Sequence, residues 1–250
     1  KCSTSLKEKN PIKFVTRKLH PVESELGEKD LATQYEYLKD KTFIYEIFKN
    51  ESCEVETDEE PPHEINKEAL EIALKIALLF NCLIPNEIQV IRKTVIDGSN
   101  TSGFQRTMVI GLNGYFYYND KKIKIDQISL EEDAAAIDKT EDNKVYYKLN
   151  RLGIPLVEIS TSVLENFSPE ELQEIAQTIG NICFSTKKVR KELGSIRQDI
   201  NISTDYWSRV EIKGVQRLSL ISKVIKNEIE RQKNLSEILK NKRKIERNVY

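Results

Sequence analysis

Histidine is scarce in this sequence. His20 and His63 are the only two, one beside Pro21 and the other in the run Glu59-Glu60-Pro61-Pro62-His63-Glu64. Neither sits where a His-Asp-Ser or Cys-His arrangement can be argued, so nucleophilic hydrolase chemistry, which needs an activating base, is disfavoured. Cysteine is sparse too. Cys2, Cys53, Cys82 and Cys183 lie far apart with no C-x-x-C pair, which argues against a zinc knuckle and a dense disulfide framework. Buried reduced thiols and a cytoplasmic setting are the expectation. No apolar run approaches the ~20 residues of a membrane helix, so no membrane partner is expected. Nothing at the N-terminus has the pattern of a signal or transit peptide, and Met108 is the only methionine, so the chain reads as a piece of a longer protein.

A strong excess of charge is also lacking, since the net charge is -1. Its distribution is uneven. Residues 187–250 carry 17 Lys and Arg against 8 Asp and Glu, and residues 1–186 carry 22 against 32. A lysine-rich helical end is ordinarily a solvated face, and it is also what a nucleic-acid footprint looks like.

The apolar pattern alternates between two periods. Residues 67–83 place Ala69, Leu70, Ala73, Leu74, Ile76, Ala77 and Phe80 at helical spacing after Asn66, a good N-cap. A second helix is expected where Ser168 caps, Pro169 takes the first turn and Glu171 completes a capping box. A third, long and charged, is expected from Leu218 onward. Between them, 88–96, 108–118, 122–130, 144–150, 154–161, 195–203 and 209–215 are short and rich in Ile, Val and Tyr, which predicts strands. Residues 204–208 read as a hairpin turn and Asn113-Gly114 as another, favouring an α+β fold with a mainly antiparallel or mixed sheet and flanking helices.

Three constellations could carry chemistry. The first is the loop of Ile91-Arg92-Lys93-Thr94-Val95-Ile96-Asp97-Gly98-Ser99-Asn100-Thr101-Ser102-Gly103-Phe104-Gln105-Arg106. Its glycines have the G-x-x-x-x-G spacing, but Phe104-Gln105 stands where a P-loop needs Lys-Ser/Thr. It is either an anion nest with Arg92, Lys93 and Arg106 as counter-charges, or a plain surface loop between strands. The second is the acidic group Glu131, Glu132 and Asp133, with Glu158 between apolar neighbours on a strand. An ionised carboxylate there needs a metal or a salt bridge, for instance to Arg151. The third is the polar face of 195–203, where Arg197, Asp199, Asn201 and Ser203 alternate with isoleucines and either line a site or face solvent.

Taken together, RKTVIDGSNTSGFQRT, DEEPPHEIN, SLEEDAA, NRLGIPLVEIST, GSIRQDINIS and RVEIKGVQ closely resemble the GatB/GatE family of tRNA-dependent amidotransferases, which unites the archaeal glutamyl-tRNA(Gln) branch, GatE, with the bacterial-type GatB. The match runs in order from about Lys13 to about Leu239, and the loop Asp97–Phe104 is similar to the archaeal branch. The resemblance implies an ATP- and Mg²⁺-dependent transamidation. Glutamate misacylated onto tRNA(Gln) is phosphorylated on its γ-carboxylate, and ammonia from an asparaginase-like partner, GatD, displaces the phosphate. By position it implies Glu132 and Glu158 as metal carboxylates, and Lys93, Gln105, Arg197 and Asp199 as catalytic or substrate-contacting groups. Arg92, Ser99, Asn100, Ser102 and Arg106 are implied to contact the nucleotide. It further implies a cradle domain over 1–217, without the strand bearing a Gly-Leu-Glu-Ile-His motif, and a basic helical segment over 218–250. A bacterial-type GatB acting on Asp- or Glu-tRNA and a non-catalytic tRNA-binding scaffold are the alternatives.

Overall fold

A computed structural model describes residues 5–21, 26–192 and 194–247, with side chains through residue 241. The chain runs β1 (Lys13–Lys18), α1 (Leu31–Leu38), β2 (Thr42–Ile47), α2 (Lys67–Leu79), β3 (Val90–Thr94), β4 (Phe104–Tyr118), β5 (Lys121–Glu132), β6 (Ala136–Glu141), β7 (Lys144–Lys148), β8 (Pro155–Thr161), α3 (Pro169–Ser185), β9 (Gln198–Thr204), β10 (Trp207–Val215) and α4 (Ile221–Arg247). A 3-10 turn over Leu218–Leu220 leads into α4. The expected α+β class is found, with antiparallel and mixed sheets. The chain forms two compact units, Lys1–Gly114 with Ile125–Ser160, and Tyr115–Lys124 with Thr161–Tyr250. In the second, Ile221 and Ile225 of α4 share one core with Ala176 of α3 and with Ile202 and Val215 of the β9–β10 pair.

In the first unit a sheet of order β1-β2-β7-β6 forms around β2, which is antiparallel to β1 and parallel to β7. Phe43 and Tyr45 alternate on β2 as Val145 and Tyr147 do on β7, and the four bury together with Leu149 and Leu152. A second sheet has the order β3-β4-β5-β8. Helix α2 begins where the Asn66 side chain accepts from the Ala69 amide at 2.9 Å. It buries Ala69, Ala73, Ile76 and Ala77. Gly111 of β4 permits a close approach here, because an added Cβ would lie 2.9 Å from the Ala77 Cβ and 2.8 Å from that of Cys82.

The second unit opens α3 with the expected capping box, Ser168 and Glu171 each bonding the other's amide. Inside it, Gln232 of α4 is fully buried. Its oxygen accepts from the Thr204 hydroxyl at 2.7 Å, and its amide donates to the Ile202 carbonyl and to Glu228 at 3.3 and 2.9 Å.

Two expectations are corrected. Asn113-Gly114 is no turn; it lies inside β4, where Asn113 takes φ +53, and the chain reverses instead at Asn119-Asp120 with φ +45 and +61. Cys53 is disulfide-bonded rather than reduced. Cys82 and Cys183 are free and buried, and burial pushes both thiols up, Cys183 to about 11. Cys2 lies outside the described residues.

Candidate functional site

The acidic run at the end of β5 is not a solvated turn. Each of its three carboxylates meets its own cation. Glu131, 6% exposed, accepts from the Thr107 hydroxyl at 3.1 Å and lies 3.5 Å from Lys93 Nζ. Glu132 receives Arg106 of β4 through two parallel bonds, Nε to Oε2 at 2.9 Å and Nη2 to Oε1. Asp133 receives Arg151 in the same fork, Nε to Oδ2 at 2.8 Å and Nη2 to Oδ1 at 3.0 Å. Bidentate pairs of this kind fix orientation as well as charge. Arg151 therefore answers Asp133, not Glu158 as the salt-bridge alternative would have it.

The strands explain the gathering. On β3, Arg92 and Lys93 stand directly opposite Arg106 and Gln105 of β4. The Arg92 guanidinium lies over the Phe104 ring at 5.4 Å, and Gln105 Nε2 donates to the Glu132 carbonyl at 2.7 Å. Arg106 Nη1 donates to the His63 carbonyl at 2.6 Å, which ties in the segment before α2. Sequence reasoning places His63 in a loop and misses this backbone role.

Arg106 and Glu132 border two cavities. One, of about 140 Å³, is lined also by His63, Asn66, Met108, Glu131 and Pro155. The other, of about 50 Å³, is lined by Glu56, Asn100, Ser102, Gln105 and Asp133. Both are smaller than the ~300–1,000 Å³ of a drug-sized ligand site.

The loop before β4 is anchored rather than free. The buried hydroxyls of Tyr45 and Tyr147 donate to the Gly98 and Asp97 carbonyls, each at 2.8 Å, and burial holds both phenols well above their usual range. Thr101 donates to the Glu56 carbonyl, also at 2.8 Å. Its other polar groups serve the loop itself. Ser99 bonds the Asp97 carboxylate, and Ser102 and Asn100 Nδ2 bond the Phe104 carbonyl. Asn100 is 5% exposed and its Oδ1 has no partner among the described residues. That atom calls for a donor, which a phosphate oxygen does not supply.

Glu158 is exposed on β8, and the expected apolar surround is absent. Its neighbours Val157 and Ile159 point to the opposite face of the strand. It does not line either cavity. Among the described residues no group of three His, Cys, Asp or Glu is placed to hold a metal ion, and both Glu132 oxygens are engaged by Arg106. These residues alone do not fit a complete Mg²⁺ site.

Arg197 and Asp199 belong to the second unit. The expected alternation holds there, with Arg197, Asp199 and Asn201 exposed and Ile202 buried. Asp199 accepts from the Gly214 amide at 2.8 Å, an internal bond of the β9–β10 pair.

Residues 22–248 match the GatB/GatE catalytic domain. The chain is 48% identical to the E-type component (GatE) of the glutamyl-tRNA(Gln) amidotransferase of Methanocaldococcus jannaschii over 95% of its own length and 38% of that protein. The Saccharolobus solfataricus GatE is 50% identical over 95% of this chain and 37% of its own length. That of Saccharolobus islandicus is 48% identical over 99% and 39%. The chain thus spans about two fifths of the length of the curated relatives it matches. With nearly all of its residues covered at such identity, the chain belongs to the GatB/GatE catalytic-domain family.

Proposed function

We propose that the intact protein carrying this chain converts glutamate misacylated onto tRNA(Gln) into glutamine, using ATP and Mg²⁺ to activate the γ-carboxylate and ammonia from the asparaginase-like partner GatD to replace it. The observation that carries this reading is the similarity to archaeal GatE proteins across 95–99% of the chain. The geometry around Arg106 agrees with it. Arg106 is held by Glu132 on one edge and by the His63 carbonyl at Nη1. It borders a cavity of about 140 Å³. Lys93, whose side chain is 57% exposed, supplies a second cation beside Glu131. Both cations are already paired with carboxylates, so each would meet an incoming carboxylate as part of an ion-pair network rather than as free positive charge.

Glu132 and Glu158 remain the carboxylates proposed for the metal, and its other ligands would have to come from beyond the described residues. Arg92, Ser99, Asn100, Ser102 and Arg106 are the proposed nucleotide contacts. Arg197 and Asp199 are proposed as substrate contacts.

The test is to incubate the intact protein with Glu-tRNA(Gln), ATP, Mg²⁺ and ammonium and to assay for Gln-tRNA(Gln). Glutamine formation that stops when ATP is omitted is the expected result. A folded protein that binds the tRNA and leaves its glutamate unchanged would overturn the reading.

A further inference from the structure

The end of the β4–β5 hairpin, Tyr115–Lys124, groups with the second unit. Its two faces differ sharply. Phe116 and Ile123 are buried, 6% and 1% exposed, and Tyr118 and Lys121 beside the turn are tied to Glu174 and Glu171 of α3. Tyr115, Tyr117, Lys122 and Lys124, each one residue removed from a buried position, take the opposite face. Tyr117 is 64% exposed although it is large and aromatic. Its ring meets that of Tyr115 edge-on at 5.8 Å, and Lys122 Nζ lies 3.9 Å from the Tyr115 ring centroid. Neither Lys122 nor Lys124 forms an ion pair among the described residues.

This is an exposed aromatic ring set edge-on to a neighbouring ring, with Lys122 over that neighbour and Lys124 on the same strand face, and neither lysine is ion-paired among the described residues. A solvent-facing sheet needs no such exposed tyrosine. The pattern suits a partner that offers flat π-faces and a negative backbone together, which unpaired RNA does. The charge of the surrounding unit agrees, since residues 115–124 and 161–250 carry 20 Lys and Arg against 13 Asp and Glu, a balance of +7. An acidic peptide would satisfy the lysines but leave the tyrosine ring without a stacking partner.

We propose that Tyr115, Tyr117, Lys122 and Lys124 form a stacking platform for unpaired nucleotides of the tRNA, with Tyr117 against a base and the two lysines against phosphates. The inference rests on the reading that the protein acts on a tRNA. It adds a binding surface distinct from the Arg106–Glu132 pair and from the basic helix α4.

Tyr117 is exposed, so its replacement leaves the fold intact. With the intact protein, binding of tRNA(Gln) is measured by anisotropy alongside a fully paired RNA duplex. Tyr117→Ala should weaken tRNA binding about tenfold, Tyr117→Phe should keep it, and duplex binding should be unmoved by either. Lys122→Ala with Lys124→Ala should lower the slope of log affinity against log salt by about 0.7 for each phosphate no longer neutralised. Tyr117→Ala and the double lysine variant both matching the wild type in affinity and slope would overturn the platform and turn attention to an acidic protein partner. If the wild type makes Gln-tRNA(Gln) in that case, only this inference has failed. If the wild type makes none while Tyr117→Ala still loses tRNA affinity, the platform stands and the amidotransferase reading has failed.

Discussion

Arg106 on β4 grips Glu132 on β5 through two parallel hydrogen bonds, and this pair borders two cavities while its outer nitrogen holds the chain at His63. The side chains are 12% and 27% exposed. Removing Arg106 leaves a largely desolvated carboxylate behind. Arg106→Ala should therefore destabilise the protein by about 2 kcal/mol, and the double change with Glu132→Gln should cost less than the sum of the two, a coupling on the order of 1 kcal/mol. Urea unfolding of the four proteins measures both. Strict additivity would mean that the pair contributes nothing as a unit.

Gly98 and Gly103 both take positive φ, +82 and +75, but their surroundings differ. An added Cβ at Gly98 would lie 2.7 Å from the Phe43 ring, and at Gly103 it would meet nothing within 4 Å. Gly103→Ala should cost about 1 kcal/mol from backbone strain alone, and Gly98→Ala about 3 kcal/mol, because a core aromatic must also shift. Equal losses in a denaturation series would show that the loop is not seated on Phe43.

Glu228 gives the second unit an acid-sensitive tie. Its carboxyl is held below the usual carboxylate range by hydrogen bonds from Arg231, at 2.7 and 2.8 Å, outweighing burial. A carboxyl depressed in the folded state stabilises fully above about pH 4.5 and loses that contribution as pH falls through its folded value. Glu228→Gln should therefore lower the thermal midpoint at pH 7 and narrow the gap to wild type at pH 3. A gap that is constant with pH would assign the loss to packing.

Much of the framework is legible in the sequence because its signals are local. The capping box at Ser168 and Glu171 and the isoleucine alternation of β9 each need only neighbouring residues. β1, α1, β2 and β6 escape such a reading. The parallel pairing of β2 with β7 joins residues about a hundred positions apart, and α1 buries none of its residues, so no apolar stripe marks it. The site is half legible. The acidic run and the Arg-rich loop both stand out, but not that they meet. Placing a turn at Asn113-Gly114 hides this, whereas counting outward from Asn119-Asp120 sets Arg106 across from the acids. Glu158 is misread when apolar neighbours at i±1 count as its surroundings, because a strand sends them to the other side.

Glu158 offers a clean functional test. Its exposure means that Glu158→Gln should change stability by less than about 0.5 kcal/mol. Any large loss of glutamine formation in the intact protein then reports chemistry, as expected of a metal carboxylate. Near-wild-type transamidation would remove Glu158 from the proposed metal site.

The most direct test of the account is the rate of Gln-tRNA(Gln) formation by intact Glu132→Gln protein, measured beside its thermal midpoint. If the Arg106–Glu132 pair is the centre of the reaction, kcat/KM should fall by about 10²–10³ or more in a protein that remains folded. A folded Glu132→Gln enzyme that forms glutamine at the wild-type rate would contradict it and place the chemistry elsewhere in the chain.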